Sequence, residues 1–255
     1  MLFFYRLWAL LLTLFTAACL FFIFYKGRYL YSGAFFCFII IFLGTYFLLN
    51  PKLKNWRQSV SYSFFSFLLL ASGIFYLVFA EDLIIKAGII ILVNSLLFIY
   101  LNEFSKQFFT PQKAMEERQL STFLLIESVI VFFISAGLLG LRDFLNLSLV
   151  ILILPFALLI FTLFNYLAVI NKKPRLNKIL FSLIITLVMI ELFWAMAILS
   201  LVYYLKGLII SFLYLLTVKF LISNLSKRDF YKVMRNYLAV ILIILGIILF
   251  TSRWF

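Results

Sequence analysis

The chain contains no histidine. That absence removes His-ligated haem, histidine metal ligands and a histidine general base from the chemistry open to it. Acidic residues are scarce, 9 in 255, and they are dispersed. Asp82, Asp143 and Asp229 stand apart from one another, so the clustered aspartates that hold Mg²⁺ and diphosphate in membrane prenyl- and phospho-alcohol transferases are missing. Glu116 and Glu117 are adjacent, yet a glutamate-based membrane protease also needs histidines. No Gly-x-Ser-x-Gly elbow and no phosphate-cradling glycine-rich loop occurs, which excludes the usual devices for serine hydrolysis and ATP hydrolysis. Glycine, with 9 residues, and proline, with 4, are too few to favour the broken helices of many transporters. These absences weigh against an enzyme, and no cofactor or metal site is expected.

What the chain does have is apolar length. It is 67% hydrophobic and only 12% charged, more apolar surface than a soluble domain can cover. Runs of roughly 18 or more apolar residues recur along it, each long enough to cross a hydrocarbon core of about 30 Å. The runs are Phe3 to Tyr25, Tyr29 to Leu49, Ser59 to Ala80, Leu83 to Asn102, Leu120 to Leu141, Phe144 to Ile170, Ile179 to Tyr204, Leu208 to Leu225 and Tyr237 to Thr251. The expected fold is all-α: one polytopic transmembrane helical bundle over residues 1–255, with about nine spans, or eight if the short last run stops before crossing.

The charge pattern sets an expected orientation. The net charge of +13 invites thoughts of nucleic acid, but the basic residues sit in alternate loops, as topology requires. One side carries fifteen: Arg6, then Lys52, Lys54 and Arg57, then Lys106, Lys113 and Arg118, then Lys172, Lys173, Arg175 and Lys178, then Lys227, Arg228, Lys232 and Arg235. The other carries five, Lys26, Arg28, Arg142, Lys206 and Arg253, while Lys86 and Lys219 fall within runs. Positive loops stay cytoplasmic, so the N-terminus is expected inside. Trp56, Tyr100, Tyr166 and Tyr237 then fall at the inner interface, and Tyr25, Tyr29, Tyr203, Tyr204 and Trp254 at the outer. The lipid bilayer is the expected partner, with anionic lipid against the cytoplasmic basic loops and no nucleic acid. Abundant Phe, Leu, Ile and Lys point to an AT-rich genome and a bacterial inner membrane as the location.

Several local features have plain readings. Thr16, Ala17, Ala18 and Cys19 loosely resemble a lipoprotein cleavage box, but the apolar run continues through Phe24, so an uncleaved first span is expected. Cys19 and Cys37 lie at similar depths, where a disulfide is feasible and buried packing is the simpler role. Residues 103–119 and 226–236 are the cytoplasmic connecting segments: the first can form a short surface helix interrupted at Pro111, and the second reads equally as an amphipathic interfacial helix or an ordinary basic loop. The pairs Arg57 with Arg118, Gln58 with Gln119 and Asp82 with Asp143 share one offset of 61 residues, a hint of duplicated hairpins. Ser59, Ser63, Ser66 and Gly73 on one face of the third run read as a close-packing surface.

The candidate site rests on charges that lipid penalises. Glu127, Glu191 and Lys219 are the ionisable side chains well inside expected spans, where a charge costs on the order of 3 kcal/mol unless it faces protein or water. At 1.5 Å per residue Glu127 and Lys219 lie about 10 Å inside the cytoplasmic ends of their spans, and Glu191 roughly 7 Å further out. Asn94 lies at a comparable depth. The expectation is a central cluster of Glu127, Glu191, Lys219 and Asn94. It serves either a small-solute or ion permease as a proton or ion relay, or a non-catalytic membrane-anchoring or assembly subunit as a packing ion pair.

Overall fold

The structure, a computed structural model, describes residues 2–26, 30–49, 56–109, 113–170 and 178–222. They form eight helices and, among the described residues, no strand. The helices are α1 (Leu2–Lys26), α2 (Leu30–Leu49), α3 (Trp56–Leu77), α4 (Leu83–Phe109), α5 (Lys113–Leu145), α6 (Leu149–Ile170), α7 (Lys178–Ile198) and α8 (Tyr203–Ile222). The class is therefore all-α. Each of the first eight apolar runs coincides with a helix, because a backbone in hydrocarbon must bond to itself. The ninth run, Tyr237 to Thr251, and the segment 226–236 lie outside the described residues.

Among the described residues, Tyr5–Phe24, Leu83–Glu103, Leu120–Leu145 and Leu149–Tyr166 are long and apolar enough to cross a membrane. Gly33–Phe47, Ser63–Leu77 and Ser182–Ile198 are shorter apolar stretches. Large apolar side chains point outward along these helices, from Leu14, Phe21, Phe35 and Phe47 to Ile84, Ile91, Val150 and Leu154. Such an exterior is the mark of a chain embedded in a membrane, where lipid covers what water would not.

The helix boundaries correct the expected spans where turn signals were hidden. α4 continues to Phe109 and α5 begins at Lys113, so most of the 103–119 connection is helical; Pro111 lies outside the described residues. Phe144 belongs to α5 rather than to the sixth span. α5 ends at Asn146, which adopts φ +52° and donates its backbone N–H to the Arg142 carbonyl at 2.9 Å. This is a left-handed cap, a conformation that asparagine tolerates better than most residues. The seventh run, expected to reach Tyr204, stops at Ile198, and α8 starts at Tyr203 rather than Leu208. The turn between them, Leu199, Ser200, Leu201 and Val202, has neither glycine nor proline to announce it. The shared offset of Asp82 and Asp143 carries no shared role. Asp82 stands at the N-cap of α4, its carbonyl accepting from the Lys86 N–H at 3.0 Å, whereas Asp143 lies inside the last turn of α5.

The chain divides into two compact units, Met1–Ile130 and Val131–Phe255, with the boundary inside α5. In the first unit α1 packs on α2, α2 on α3, α3 on α4 and α4 on α1, a closed ring of four helices. Small residues permit the approaches: a Cβ on Gly73 would come within 2.6 Å of the Val93 side chain, as expected for the close-packing face of α3. Cys19 and Cys37 adjoin one another as free thiols. Tyr100 is fully buried rather than an interfacial anchor, with its ring 5.1 Å from Phe65 and 5.5 Å from Phe123. Aromatic stacking in the interior outweighs its preference for the interface.

In the second unit α7 packs between α6 and α8. Phe156 stacks on Phe193 at 4.5 Å, and α6 runs uninterrupted through Pro155. α8 meets the second half of α5 at Gly207, where the backbones nearly touch: a Cβ there would sit 2.8 Å from the Ala136 nitrogen and 2.9 Å from its Cα. Backbone cannot move aside as a side-chain tip can. Gly207→Ala should therefore cost about 1 to 3 kcal/mol, read as a fall of several degrees in the Tm of the detergent-solubilised protein. Gly88→Ala is the control, because a methyl there meets open space, and its Tm should hold or rise slightly.

Candidate functional site

The interior of the first unit holds most of the buried polar side chains: Thr13, Thr16, Thr45, Ser63, Ser66, Ser72, Asn94, Glu103 and Glu127. A helix in hydrocarbon turns such residues inward, where each finds a backbone carbonyl or a neighbouring helix. Asn94 ties α4 to α1. Its Nδ2 donates to the Ile90 carbonyl at 2.8 Å, and its Oδ1 lies 2.7 Å from the Thr16 hydroxyl. That hydroxyl is also 2.8 Å from the Thr13 carbonyl and has one proton to give to either. On the opposite side of the ring, Ser66 lies 3.4 Å from Thr45, joining α3 to α2, while both hydroxyls also reach carbonyls of their own helices.

Glu127 is completely buried, on the face of α5 that also buries Phe123, Leu124 and Ile130. Phe123 belongs to the aromatic cluster with Phe65 and Tyr100. That cluster sets the level of α5 against α4. Glu127 lies four residues beyond Phe123, about 6 Å toward the Leu145 end of α5, and Asn94 six residues from Tyr100, about 9 Å toward the Leu83 end of α4. The two levels differ by about 3 Å. Glu103 lies one turn past Tyr100 toward the Phe109 end of α4, roughly 10 Å from Glu127 along the axis, with the aromatic rings between. Glu103 is also buried. Sequence reading missed it by assigning it to a loop, although it continues the buried stripe of Val93, Leu96 and Tyr100 at helical spacing.

The other two expected members belong to the second unit. Glu191 is exposed on α7. Lys219 is half-buried in the last turn of α8, and Ser211, on the same helix, donates to the Leu208 carbonyl. α7 and α8 run antiparallel from the turn at 199–202. Glu191 lies about 10 Å from that turn and Lys219 about 24 Å. Their separation of roughly 14 Å along the axis is twice the expected one, and a lysine stem cannot span it. The cause is the hidden turn: α7 ends six residues earlier than the apolar run implied.

An ion pair between described residues of the second unit was not foreseen. Lys206 Nζ lies 3.5 Å from Asp143 Oδ2, with the lysine side chain 4% exposed and the aspartate 36%. Beside it, Arg142 Nη1 donates to the Ala197 carbonyl at 2.7 Å, placing a cation on the C-terminal end of α7 where the helix dipole favours it. Arg142, Asp143, Asn146 and Ser148 line an open concavity of about 480 Å³. A sequence signal existed here too: Lys206 precedes Ile210, Tyr214 and Val218 at intervals of four, all buried. Among the described residues no three His, Cys, Asp or Glu side chains converge as a metal site would need.

Two sets of substitutions test this geometry. Asp143→Asn should destabilise the protein by about 1 to 2 kcal/mol, less than a fully buried pair because Asp143 is 36% exposed, and Lys206→Met in the same chain should recover most of it. Thr16→Val, which leaves Asn94 Oδ1 without its interhelical donor, should cost about 1 kcal/mol. Thermal melting in detergent reads both.

No known protein family matches the chain, and neither does any curated protein or solved structure.

Proposed function

We propose that the chain is a multi-pass protein of a bacterial inner membrane. Its N-terminus lies in the cytoplasm, it has about nine spans, and anionic lipid lies against its cytoplasmic basic loops. The bias of fifteen basic residues to five supports this orientation. With Cys19 and Cys37 replaced by serine, a cysteine introduced at Lys54 should react with a membrane-impermeant maleimide in inverted vesicles and stay unreacted in intact cells. The reverse pattern would overturn the topology.

Within that frame the reading best supported is a small-solute or ion permease that uses Glu127 as its proton-exchanging group. The observation that carries it is the complete burial of a carboxyl side chain in a spanning helix, within the unit that gathers most of the buried polar residues. An intramembrane acid is expensive to keep and is most often retained for transport. Glu103 toward the cytoplasm, Glu127 about 10 Å further in and Asn94 with Thr16 at nearly the same depth as Glu127 form a rising series of polar groups on α1, α4 and the first half of α5. In this reading the Phe65, Tyr100 and Phe123 rings are the constriction between the two acids.

The test is proton flux in proteoliposomes loaded with a pH-sensitive dye and driven by a potassium diffusion potential. Wild type should acidify the lumen well above protein-free vesicles, Glu127→Gln should fall to background while keeping its Tm, and Glu127→Asp should retain part of the flux. Equal flux in Glu127→Gln and wild type would remove Glu127 from the pathway. The second reading, a non-catalytic membrane-anchoring or assembly subunit, is favoured by one specific observation, the outward position of Glu191.

A further inference from the structure

α7 presents an apolar face interrupted by a single carboxylate. Ile184, Leu187, Glu191, Trp194 and Ile198 recur at alternating steps of three and four residues, the spacing of a seam along which two helices pack at a shallow angle. All five are exposed, the four apolar ones by 51% to 64%. No hydrogen bond or ion pair reaches Glu191 from the described residues. The seam thus combines helix-pairing geometry with a charge that lipid penalises by about 3 kcal/mol.

We propose that this seam docks a transmembrane helix of a different protein, one that carries a lysine or arginine about 10 Å below the Ile198 end of α7. Charge complementarity selects that occupant over the others. Of the chain's 22 basic residues only Arg6, Lys86 and Lys219 fall within apolar runs, and Arg6 lies near the start of α1 rather than at mid-depth. Lys86 lies in the first turn of α4, where its Cβ tilts toward the helix N-terminus and away from mid-depth. Lys219 lies in the last turn of α8, some 14 Å from the level of Glu191 along the axis. The apolar stretch Tyr237 to Thr251 contains no cation at all. A second copy in the same orientation offers the same residues at the same depths, and across a two-fold axis it sets Glu191 against Glu191. A basic helix from another protein neutralises the carboxylate, and its apolar flanks fit Leu187 and Trp194.

The experiment uses the full chain, donor-labelled in phosphatidylcholine vesicles, and acceptor-labelled synthetic spanning helices. One peptide is leucine-rich with a lysine at the level of Glu191, one has leucine there, and one has the lysine moved by a full turn. Energy transfer should show the first binding about tenfold more tightly than the other two. Glu191→Gln, at an exposed position, should keep its Tm and lose the preference. Equal binding of the three peptides by wild type, or a preference that survives Glu191→Gln, overturns the proposal. So does energy transfer between donor- and acceptor-labelled copies of the chain that depends on Glu191, because the seam would then serve self-association.

Discussion

A backbone placed in hydrocarbon has no water to bond, so each of its amides and carbonyls must find a partner within the protein. For this chain the constraint acts nearly everywhere, since apolar residues make up 67% of it. It makes every described element a helix. Among the described residues the irregular backbone is confined to short turns, Val78–Asp82, Asn146–Ser148 and Leu199–Val202, the last two inside apolar runs. Even there the bonding continues: Ala80 donates to Leu77, Asn146 to Arg142, and Leu205 and Lys206 to Val202. The turns are short because each residue beyond a helix end needs a partner that the helix no longer supplies.

The same solvent inverts the usual arrangement of side chains. Phenylalanine and leucine face outward without cost, and hydroxyls and amides turn inward. In the first unit this gathers Thr16 with Asn94 and Thr45 with Ser66, each pair joining neighbouring helices of the ring. Such bonds are individually modest, on average about 0.6 kcal/mol in membrane proteins. Their larger effect is on register, because a buried asparagine shifted by one residue loses its threonine. Glu127 and Glu103 occupy that same interior, where the helices that fix the small polar residues also hold the acids away from lipid.

The second unit solves a different problem. A close backbone approach, α8 at Gly207 against α5 at Ala136, brings the start of α8 beside the end of α5. Lys206 therefore meets Asp143, and the Ser135 hydroxyl comes within 3.4 Å of the Gly207 carbonyl. One missing Cβ thus determines an ion pair, since any larger residue at 207 would separate the two elements that carry it. Arg142 completes the arrangement by satisfying a carbonyl of the last turn of α7, a group the helix cannot bond for itself.

The sequence by itself determined the helical class and, to within a few residues, α1, α2, α3, α4 and the core of α5, because apolar length is a local property that one solvent reads in one way. It also marked Glu127, Glu191 and Lys219 as side chains that lipid penalises, of which Glu127 is buried, Lys219 half-buried and Glu191 exposed. It misjudged the boundaries of α7 and α8, since Leu199, Ser200, Leu201 and Val202 are as apolar as the helices they separate, and that error moved Glu191 and Lys219 toward a common level. Only the tertiary structure decided that Glu191 faces outward, that Tyr100 stacks in the interior, and that Lys206 is buried against Asp143. Each of these depends on which face a neighbouring helix covers, and that is set by contacts between residues distant in the chain, to which composition, periodicity and charge counts are blind.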